Sequence, residues 1–380
     1  MAAAALLEEF GPADARERDE SWRYSRTALR ALAQQEFVTA DVHASVDAAL
    51  RERFAWTQTD GRRAVFVNGV FSAAHSDLNA IAASVQLRHD AAGDDTEHRA
   101  HLAINGDCAE PLHLVYLGLP GAAPCRWSAV LDIAVTHGHA RLIEHHLGAA
   151  GSDVLGALRS RMTIGAGATL HLTAICDLAD STSLYHRGDA TLAEGASLLT
   201  THVLLGGRLQ RHDVGVALAG AHSRFDSRGV FALRGRQHAD THMDIRHVAR
   251  DTACDVLWRG IADDRSRGIF HGAITVAKGA DGADAQLSNR NLLLSALAEI
   301  DTQPALEIHA DEVKAAHGAT VGQLDERALF YLRSRGIDVA EARRMLVGAF
   351  AAVALDRVEQ PWLRAHLGAL LAPRVGTENA

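Results

Sequence analysis

A short phrase that recurs four times constrains the fold of this chain more than any other feature of its sequence. The repeats are DIAVTHGHARL, RMTIGAGATLHL, DATLAEGASLL and GAITVAKGADG, and each places a strand-forming residue three positions before a glycine. The glycines lie at positions 138, 167, 195 and 279, so their separations are 29, 28 and 84 residues, and 84 is three times 28. A period in the twenties is typical of a solenoid, in which each coil buries its apolar surface only against its neighbours.

The residues around these repeats favour β-strands. No proline occurs between Cys125 and Gln303, and short apolar runs alternate there with glycine and other turn residues. Because the period is not a multiple of six, a left-handed hexapeptide helix is disfavoured. The sequence therefore predicts a mainly β protein with a right-handed parallel β-helix (solenoid) core. The alternative is that small-residue turns match by chance.

Helical patterns flank the predicted core and divide the chain into three regions. Residues 1–110 are predicted to form a mostly helical region with one short hairpin, RRAVFVNGVFSA, around the turn Asn68-Gly69. The β-helix core is expected over residues 111–318. Residues 319–380 carry three amphipathic helical patterns and form the predicted C-terminal helical region.

Composition excludes several classes of function. The formal net charge of −9 and the pI near 6.2 provide no basic surface for nucleic acid. The first residues, MAAAALLEEFG, lack the features of a signal peptide, and the longest apolar run near the other end falls short of the ~20 residues that a membrane span needs. The four cysteines are scattered without a CxxC pair, which favours free thiols in a reducing cytosol. We therefore expect a cytoplasmic protein with no membrane and no nucleic-acid partner.

The 22 histidines invite a metal hypothesis, but their spacing is not specific. His238, His242 and His247 cluster in HADTHMDIRH without the glutamate of a zincin motif. We interpret them, together with the pair His145-His146, as polar residues on the solvated outside of a β-coil.

Other catalytic patterns are weak. The chain has no phosphate-binding loop, no dinucleotide fingerprint and no GxSxG motif. The adjacent carboxylates Asp263 and Asp264 could serve a β-helix enzyme, but a single pair in a loop is not a specific signal. Cys176 and Cys254 are explained more simply as small buried residues than as ligands of an iron–sulfur cluster, which needs about four of them.

His317 has the most distinctive position among the candidate residues. It follows a strand-like run at the end of the predicted core and lies among small residues, in VKAAHGATVG. It either closes the last coil as an ordinary polar residue or is exposed at an edge where another chain approaches. The residue pattern weighs these two interpretations about equally.

Three runs in the C-terminal part of the chain carry a specific resemblance. They are RGIADDRSRGIFHGAITV, LSNRNLLLS and PALEIHADEVKAAHGATVGQLDERALFYLRSRGI. These runs resemble the SufB/SufD family of the Suf iron–sulfur assembly system, and the similarity is closest to its SufD branch. Upstream, ESWRYS resembles the family's N-terminal E-x-W-x-Y-[ST] element, VFVNGVFS the strand pair after it, and QHADTHMDIRH a strand of its core.

The resemblance implies a right-handed parallel β-helix with helical ends that acts as a scaffold and not as an enzyme. SufD-like proteins pair with a SufB subunit through their β-helix regions and bind a SufC ATPase of the ABC type through their C-terminal helices. By this resemblance, the ATPase would dock on Phe330, Tyr331, Leu332 and Arg335. His317 matches the histidine proposed to act at the SufB–SufD interface, as a cluster ligand or iron-site residue.

The resemblance also implies that the chain alone binds no cofactor, whereas iron or an iron–sulfur cluster could be held in the complex at a metal site that His317 shares with a partner chain. One departure is that Ala315 stands where many relatives have a cysteine, so this subunit lacks the Cys-x-His pair. Without its partner the chain could form a homodimer. The alternatives are a SufB-like scaffold of the same family and a β-helix enzyme that acts on a carbohydrate or acyl substrate.

Overall fold

The computed structural model describes residues 22–55, 57–90 and 97–374, which fold into a mainly β structure built on a solenoid of about 8 turns. Each turn contributes one strand to each of two ten-stranded sheets, which we call sheet A and sheet B. The predicted parallel β-helix core is therefore confirmed. The N-terminal stretch for which we predict no signal peptide, and the first two residues of ESWRYS, lie outside the described residues.

Strands alternate between the two sheets along the chain. Sheet A consists of β1 (Val38–Thr39), β4 (Val85–His89), β5 (Glu97–Asn105), β7 (Cys125–His137), β9 (Val154–Ile164), β11 (Thr182–Leu192), β13 (Leu209–Leu218), β15 (His238–His247), β17 (Arg267–Val276) and β19 (Glu299–Ile308). Sheet B consists of β2 (Arg63–Val67), β3 (Val70–Phe71), β6 (Cys108–Gly118), β8 (His139–Gly148), β10 (Thr169–Asp177), β12 (Ser197–Leu204), β14 (Arg224–Leu233), β16 (Ala253–Ala262), β18 (Asp284–Leu293) and β20 (Lys314–Gly322). From β7 to β18, each strand lies between the strand two before it and the strand two after it.

In-register pairing builds the core between the two sheets. Successive side chains of a strand point to opposite faces, so alternate residues of every strand face the interior. Parallel pairing then stacks equivalent residues of successive coils, as it does for Leu112, Leu142 and Leu172 in sheet B. All three leucines are buried, and burying one leucine side chain contributes roughly 1.5–3 kcal/mol to the free energy of unfolding.

A line of left-handed residues explains the sequence repeat. From β9 to β18, the turn from each strand of sheet A to the next strand of sheet B contains one residue with positive φ whose amide donates to a carbonyl of the following coil. The N···O distances lie between 2.7 and 3.2 Å, and these residues are Gly167, Gly195, His222, Asp251 and Gly282. The equivalent of Gly195 in the last of these coils is therefore Gly282, and the Gly279 of the sequence pattern belongs to an additional turn before it. Two coils use His222 and Asp251 instead of glycine, although non-glycine residues rarely adopt this conformation.

Two antiparallel strand pairs lie at the first coil, and two short helices pack on the outside of the solenoid, one against the middle of sheet A and the other against the first strands of sheet B. β2 and β3 pair in antiparallel fashion across Asn68 and Gly69, which both have positive φ, so the predicted hairpin is confirmed. β4 pairs in antiparallel fashion with β5. The helices are α1 (Arg26–Ala33) and α2 (Ala48–Phe54), and a single 3₁₀ turn follows at Thr57–Thr59.

The described part of ESWRYS attaches α1 to sheet A. The guanidinium of Arg211 lies 4.3 Å from the ring centroid of Trp22, whose ring also contacts that of Tyr185. The hydroxyl of Ser25 donates a hydrogen bond to the buried carboxylate of Asp240, which pairs with Arg211 at 2.8 Å. Because a buried ion pair is stable only when its remaining polar atoms are satisfied, these contacts join the N-terminal helix to the solenoid wall.

Three helices complete the C-terminal end, as the sequence predicts. They are α3 (Glu326–Ser334), α4 (Val339–Ala352) and α5 (Pro361–Leu371), with 3₁₀ turns at Val353–Leu355 and Ala372–Arg374. Apolar residues of α4 and α5 pack against the outer face of sheet B, where the contacting residues include Ile143, Ile175, Val203, Val230 and Ile261. Among the helices of the described ranges, none is long and apolar enough to cross a membrane.

The strands run past both expected limits of the core. β5 lies within the region predicted as mostly helical, yet it pairs with β7 and extends sheet A. Its sequence EHRAHLAIN is half polar, so no apolar run indicates a strand there. At the other end, β20 continues to Gly322. The division at residues 111 and 318 stays a prediction about folding units.

The core packing leads to a stability prediction. Phe270 is 0% exposed inside the solenoid, whereas Phe330 on α3 is 72% exposed. We expect Phe270→Ala to lower the free energy of unfolding by about 3–5 kcal/mol, because it leaves a cavity in the core. The matched control Phe330→Ala should change it by less than about 0.5 kcal/mol. Equilibrium unfolding in denaturant measures both, and equal losses would contradict the core assignment.

Candidate functional site

The solenoid ends in two unpaired strand edges. β19 pairs only with β17 and β20 only with β18, so each has one side without a strand partner among the described residues. Ile308 and Val321 are exposed apolar side chains on these two strands. Unpaired edges that carry apolar side chains are templates for pairing with another chain.

His317 lies on the edge strand β20, in a row of side chains that faces the interior. It pairs in register with Leu287 of β18, which pairs with Val256 of β16, and both of those residues are buried. His317 itself is exposed, because no further coil covers the row. The structure therefore combines the two alternatives considered from the sequence. His317 lies on the last coil, and its side chain is exposed at the edge of that coil.

The residue two positions before His317 lies on the same face of β20. It is Ala315, which is half-buried and packs against the core. A methyl group offers no ligand atom, so any metal held by this face of the edge must take its other ligands from elsewhere.

Three of the four residues predicted for ATPase docking are exposed together on or next to α3. Phe330 and Tyr331 are exposed aromatic side chains, and the guanidinium of Arg335 lies 5.1 Å from the Tyr331 ring centroid. Leu332 is half-buried, and Leu329 is buried beneath the helix. Aromatic residues and arginine are the side chains most enriched at protein interfaces, so this patch is suited to a protein partner.

A second group of polar side chains lies inside the solenoid, where the sequence analysis placed none. Glu144 and His146 of β8 and His186 of β11 each offer one ligand atom, and these atoms all lie within 4.8 Å of one another. All three residues are buried. This group is the set of described residues whose geometry suits a bound metal ion.

The interpretation of the clustered histidines as solvated is wrong. His145, His146, His238 and His247 are buried, and the side chain of His242 is only 15% exposed. His146 faces the interior, whereas His145 lies on the outer face of sheet B, in the row that α4 and α5 cover. A strand that is covered on both faces buries its polar and its apolar residues, so an alternation of polar and apolar residues does not by itself show that the polar ones are exposed.

The cysteines are free and buried, as predicted. The thiol of Cys254 lies 3.2 Å from Nε2 of His247, and the thiol of Cys176 lies 3.5 Å from Nε2 of His212. Burial raises the pKa of Cys254 to about 12 and lowers the pKa of His247 to about 4. Both groups are therefore neutral near pH 7, which does not suit a nucleophilic thiolate.

The carboxylate pair that suggested an enzyme forms part of a turn. Asp263 accepts a hydrogen bond from the amide of Asp264 at 2.8 Å, and Asp264 accepts one from the amide of Gly235 at 2.8 Å. Asp264 also has a φ of 54°. Turn geometry accounts for both residues.

These features define a β-solenoid with an exposed histidine at one open end and exposed aromatic side chains on an adjoining helix. A family model described as SUF system FeS cluster assembly, SufBD core domain, matches residues 123–350. The chain is 32% identical to the iron–sulfur cluster assembly protein SufD of Escherichia coli (strain K12), over 94% of this chain and 88% of that protein. It is 28% identical to a SufBD family protein of Synechocystis sp., over 92% and 85%, and 32% identical to SufD of Bacillus subtilis, over 40% and 34%. The chain belongs to the SufB/SufD family, as its resemblance indicates.

The buried histidines should make stability depend on pH. Burial lowers the pKa of His186, His202 and His247 from 6.5 to about 4 in the folded chain. Between those two values the unfolded state binds more protons, so the free energy of unfolding falls as the pH falls from 6.5 to 4.

His247→Gln removes one of these groups and should reduce the slope of unfolding free energy against pH by about 1.4 kcal/mol per pH unit in that window. The control Phe330→Ala, at an exposed side chain without a titratable group, should leave the slope unchanged. Denaturant titrations at several pH values measure the slopes, and identical slopes for the wild type and His247→Gln would contradict the assignment.

Proposed function

We propose that this chain is a SufD-like scaffold subunit of an iron–sulfur cluster assembly complex and has no turnover of its own. Family membership supports the role in cluster assembly. The observation that carries the finer proposal is the position of His317, which continues an interior row of the solenoid and yet is exposed on the edge strand β20. Such a residue becomes buried only when another chain covers the open end.

The partner at the open end would be a SufB-like subunit that contributes its own strand edges. Pairing with β19 and β20 would satisfy their free backbone groups and bury Ile308 and Val321. In the absence of that subunit, a second copy of the chain could pair in the same way, which supports the expected homodimer.

Iron and the nascent cluster would be the cargo of this interface and not resident cofactors. His317 would supply one imidazole ligand. Because Ala315 offers no thiolate, the remaining ligands would come from the partner, and imidazole is compatible with thiolates in iron–sulfur sites. The metal site would then be shared between two chains, as the family resemblance implies.

The ATPase would dock on the patch formed by Phe330, Tyr331, Leu332 and Arg335. Only residues 323–325 separate the end of β20 from the start of α3. A displacement of α3 by an ATPase would therefore act directly on the edge strand that carries His317. We place this activity in the cytoplasm, in agreement with the free thiols.

Complex formation and cluster yield can be separated by two substitutions. Val321→Asp places a charge on the apolar edge and should abolish co-purification with a co-expressed SufB-like subunit. His317→Ala should leave co-purification intact and lower the cluster yield at least about tenfold, because it removes a ligand but no edge contact.

Val248→Asp is the matched control for the edge, since Val248 is 49% exposed in a mid-solenoid turn and Val321 is 42% exposed. It should leave both readouts unchanged. Co-purification of Val321→Asp at the wild-type level would refute edge pairing, and a normal cluster yield with His317→Ala would remove His317 from the site.

The ATPase dock makes a separate prediction. The double substitution Phe330→Ala and Tyr331→Ala should weaken ATPase binding by about 2 kcal/mol or more, roughly a 30-fold rise in Kd, while pairing with the SufB-like subunit persists. Val248→Ala should bind the ATPase normally. Isothermal titration with the purified ATPase measures the Kd, and an unchanged value for the double variant would move the dock away from α3.

A further inference from the structure

The interior of the solenoid contains a group of three ionisable side chains, Glu144, His146 and His186, that the proposed function does not use. Glu144 and His146 are two residues apart on β8, so both side chains point to the same face of sheet B. His186 approaches from β11, which belongs to sheet A. Ligand atoms from both sheets therefore converge within 4.8 Å inside a closed coil.

The carboxylate of Glu144 lacks the partners that a buried charge requires. Glu144 is 1% exposed, and neither of its oxygens has a hydrogen-bond partner in the described part of the chain. The nearest cationic candidate is His146, with a ring nitrogen 3.7 Å from the carboxylate, and that histidine also has no hydrogen-bond partner at either nitrogen. An ionised carboxylate left unpaired in such a place would be strongly destabilising.

We propose that Glu144, His146 and His186 form a binding site for one divalent transition-metal ion inside the solenoid. The ion compensates the buried carboxylate and takes one nitrogen of each imidazole. This site lies in the solenoid interior, is distinct from the open end, and does not depend on the function proposed above.

The donor set defines the class of ion. Two imidazoles with one carboxylate bind Zn²⁺ in many proteins and Fe²⁺ in the facial triads of non-haem iron proteins. Mg²⁺ and Ca²⁺ prefer oxygen ligands throughout, so they do not suit two histidines. Zn²⁺ and Fe²⁺ are both divalent cations of intermediate softness that accept nitrogen ligands, and we assign the site to ions of this class.

Neighbouring side chains hold the ligands in place. The hydroxyl of Ser160 lies 3.0 Å from Nε2 of His186, a contact of the kind that orients a metal-binding imidazole. The ring of Tyr116 stacks on that of His146, with centroids 5.0 Å apart. His202 is a further buried histidine near the group, and its ring nitrogens have no hydrogen-bond partner among the described residues.

The protonation states of His186 and Glu144 suit metal binding. Burial lowers the pKa of His186 to about 4, so its imidazole is neutral and free to bind a metal near pH 7. Desolvation by burial raises the pKa of Glu144, but the neighbouring histidines outweigh it and hold that pKa below its ordinary value. A neutral imidazole beside a charged carboxylate is the state that metal binding requires.

Burial also determines how the ion exchanges. Glu144 and His146 are each 1% exposed and His186 is 8% exposed, so an ion can enter or leave only when a coil opens. Metal bound by exposed histidines, in contrast, equilibrates with a chelator at once. Retention after chelator washing therefore distinguishes the interior site from surface binding.

The test uses the full chain, purified after growth with Zn²⁺ or, anaerobically, with Fe²⁺, and washed with EDTA before metal analysis. We expect about one ion per chain to be retained in at least one of these two preparations. Glu144→Gln and His186→Gln should each weaken binding at least about 100-fold and lose the retained ion. His247→Gln, a buried histidine outside the group, should retain it.

Measuring the Tm of each variant distinguishes a loss of metal binding from a failure to fold. Glu144→Gln keeps the shape of the side chain and removes the unpaired charge, so the metal-free variant should melt at the same temperature as metal-free wild type or higher. Adding Zn²⁺ or Fe²⁺ during refolding should raise the Tm of the wild type and not that of Glu144→Gln or His186→Gln. A wild-type chain without retained metal and without a Tm shift would show that water fills the group, and equal retention by Glu144→Gln and wild type would place the metal elsewhere; either result overturns the proposal.

Discussion

The parallel hydrogen bonding between successive coils is the interaction on which the rest of this structure depends. Each strand from β7 to β18 is satisfied only because another coil lies on either side of it. The same dependence leaves β19 and β20 incomplete, since no coil follows them. A solenoid therefore either covers its last coil or offers it to a partner, and here the row that ends in His317 is left open.

Polar residues in the interior are the second constraint. A solenoid core of leucine, valine and isoleucine would be simpler to stabilise, yet this one encloses Glu144 and several histidines between its sheets. Buried polar groups are tolerated when they are satisfied, by protein atoms, by water or by an ion. The carboxylate of Glu144 and the ring nitrogens of His146 have no hydrogen-bond partner among the described residues, and that is why we assign the group a ligand.

The sequence allowed the fold class to be predicted, because the turn glycines leave a local signal. It singled out His317 but left open whether that residue closes the last coil or is exposed at an edge. It did not reveal the period of the middle coils, since His222 and Asp251 adopt the left-handed conformation that the pattern assigns to glycine. The prediction that the clustered histidines are solvated was wrong, because polar residues on a strand that is covered on both faces give the same sequence pattern as polar residues on an exposed strand. One signal was present: in LIEHHL, Glu144 and His146 alternate in phase with the buried Leu142.

The central claim is that the free edge of β20 is a docking strand for another subunit. Hydrogen–deuterium exchange of the backbone amides from Lys314 to Gly322 tests this most directly, with the chain alone and after addition of the SufB-like subunit. We expect the amides of β20 that do not donate to β18 to exchange within seconds to minutes in the chain alone and to become protected in the complex, while those of β12 stay protected throughout. Unchanged exchange in β20 on complex formation would contradict the claim.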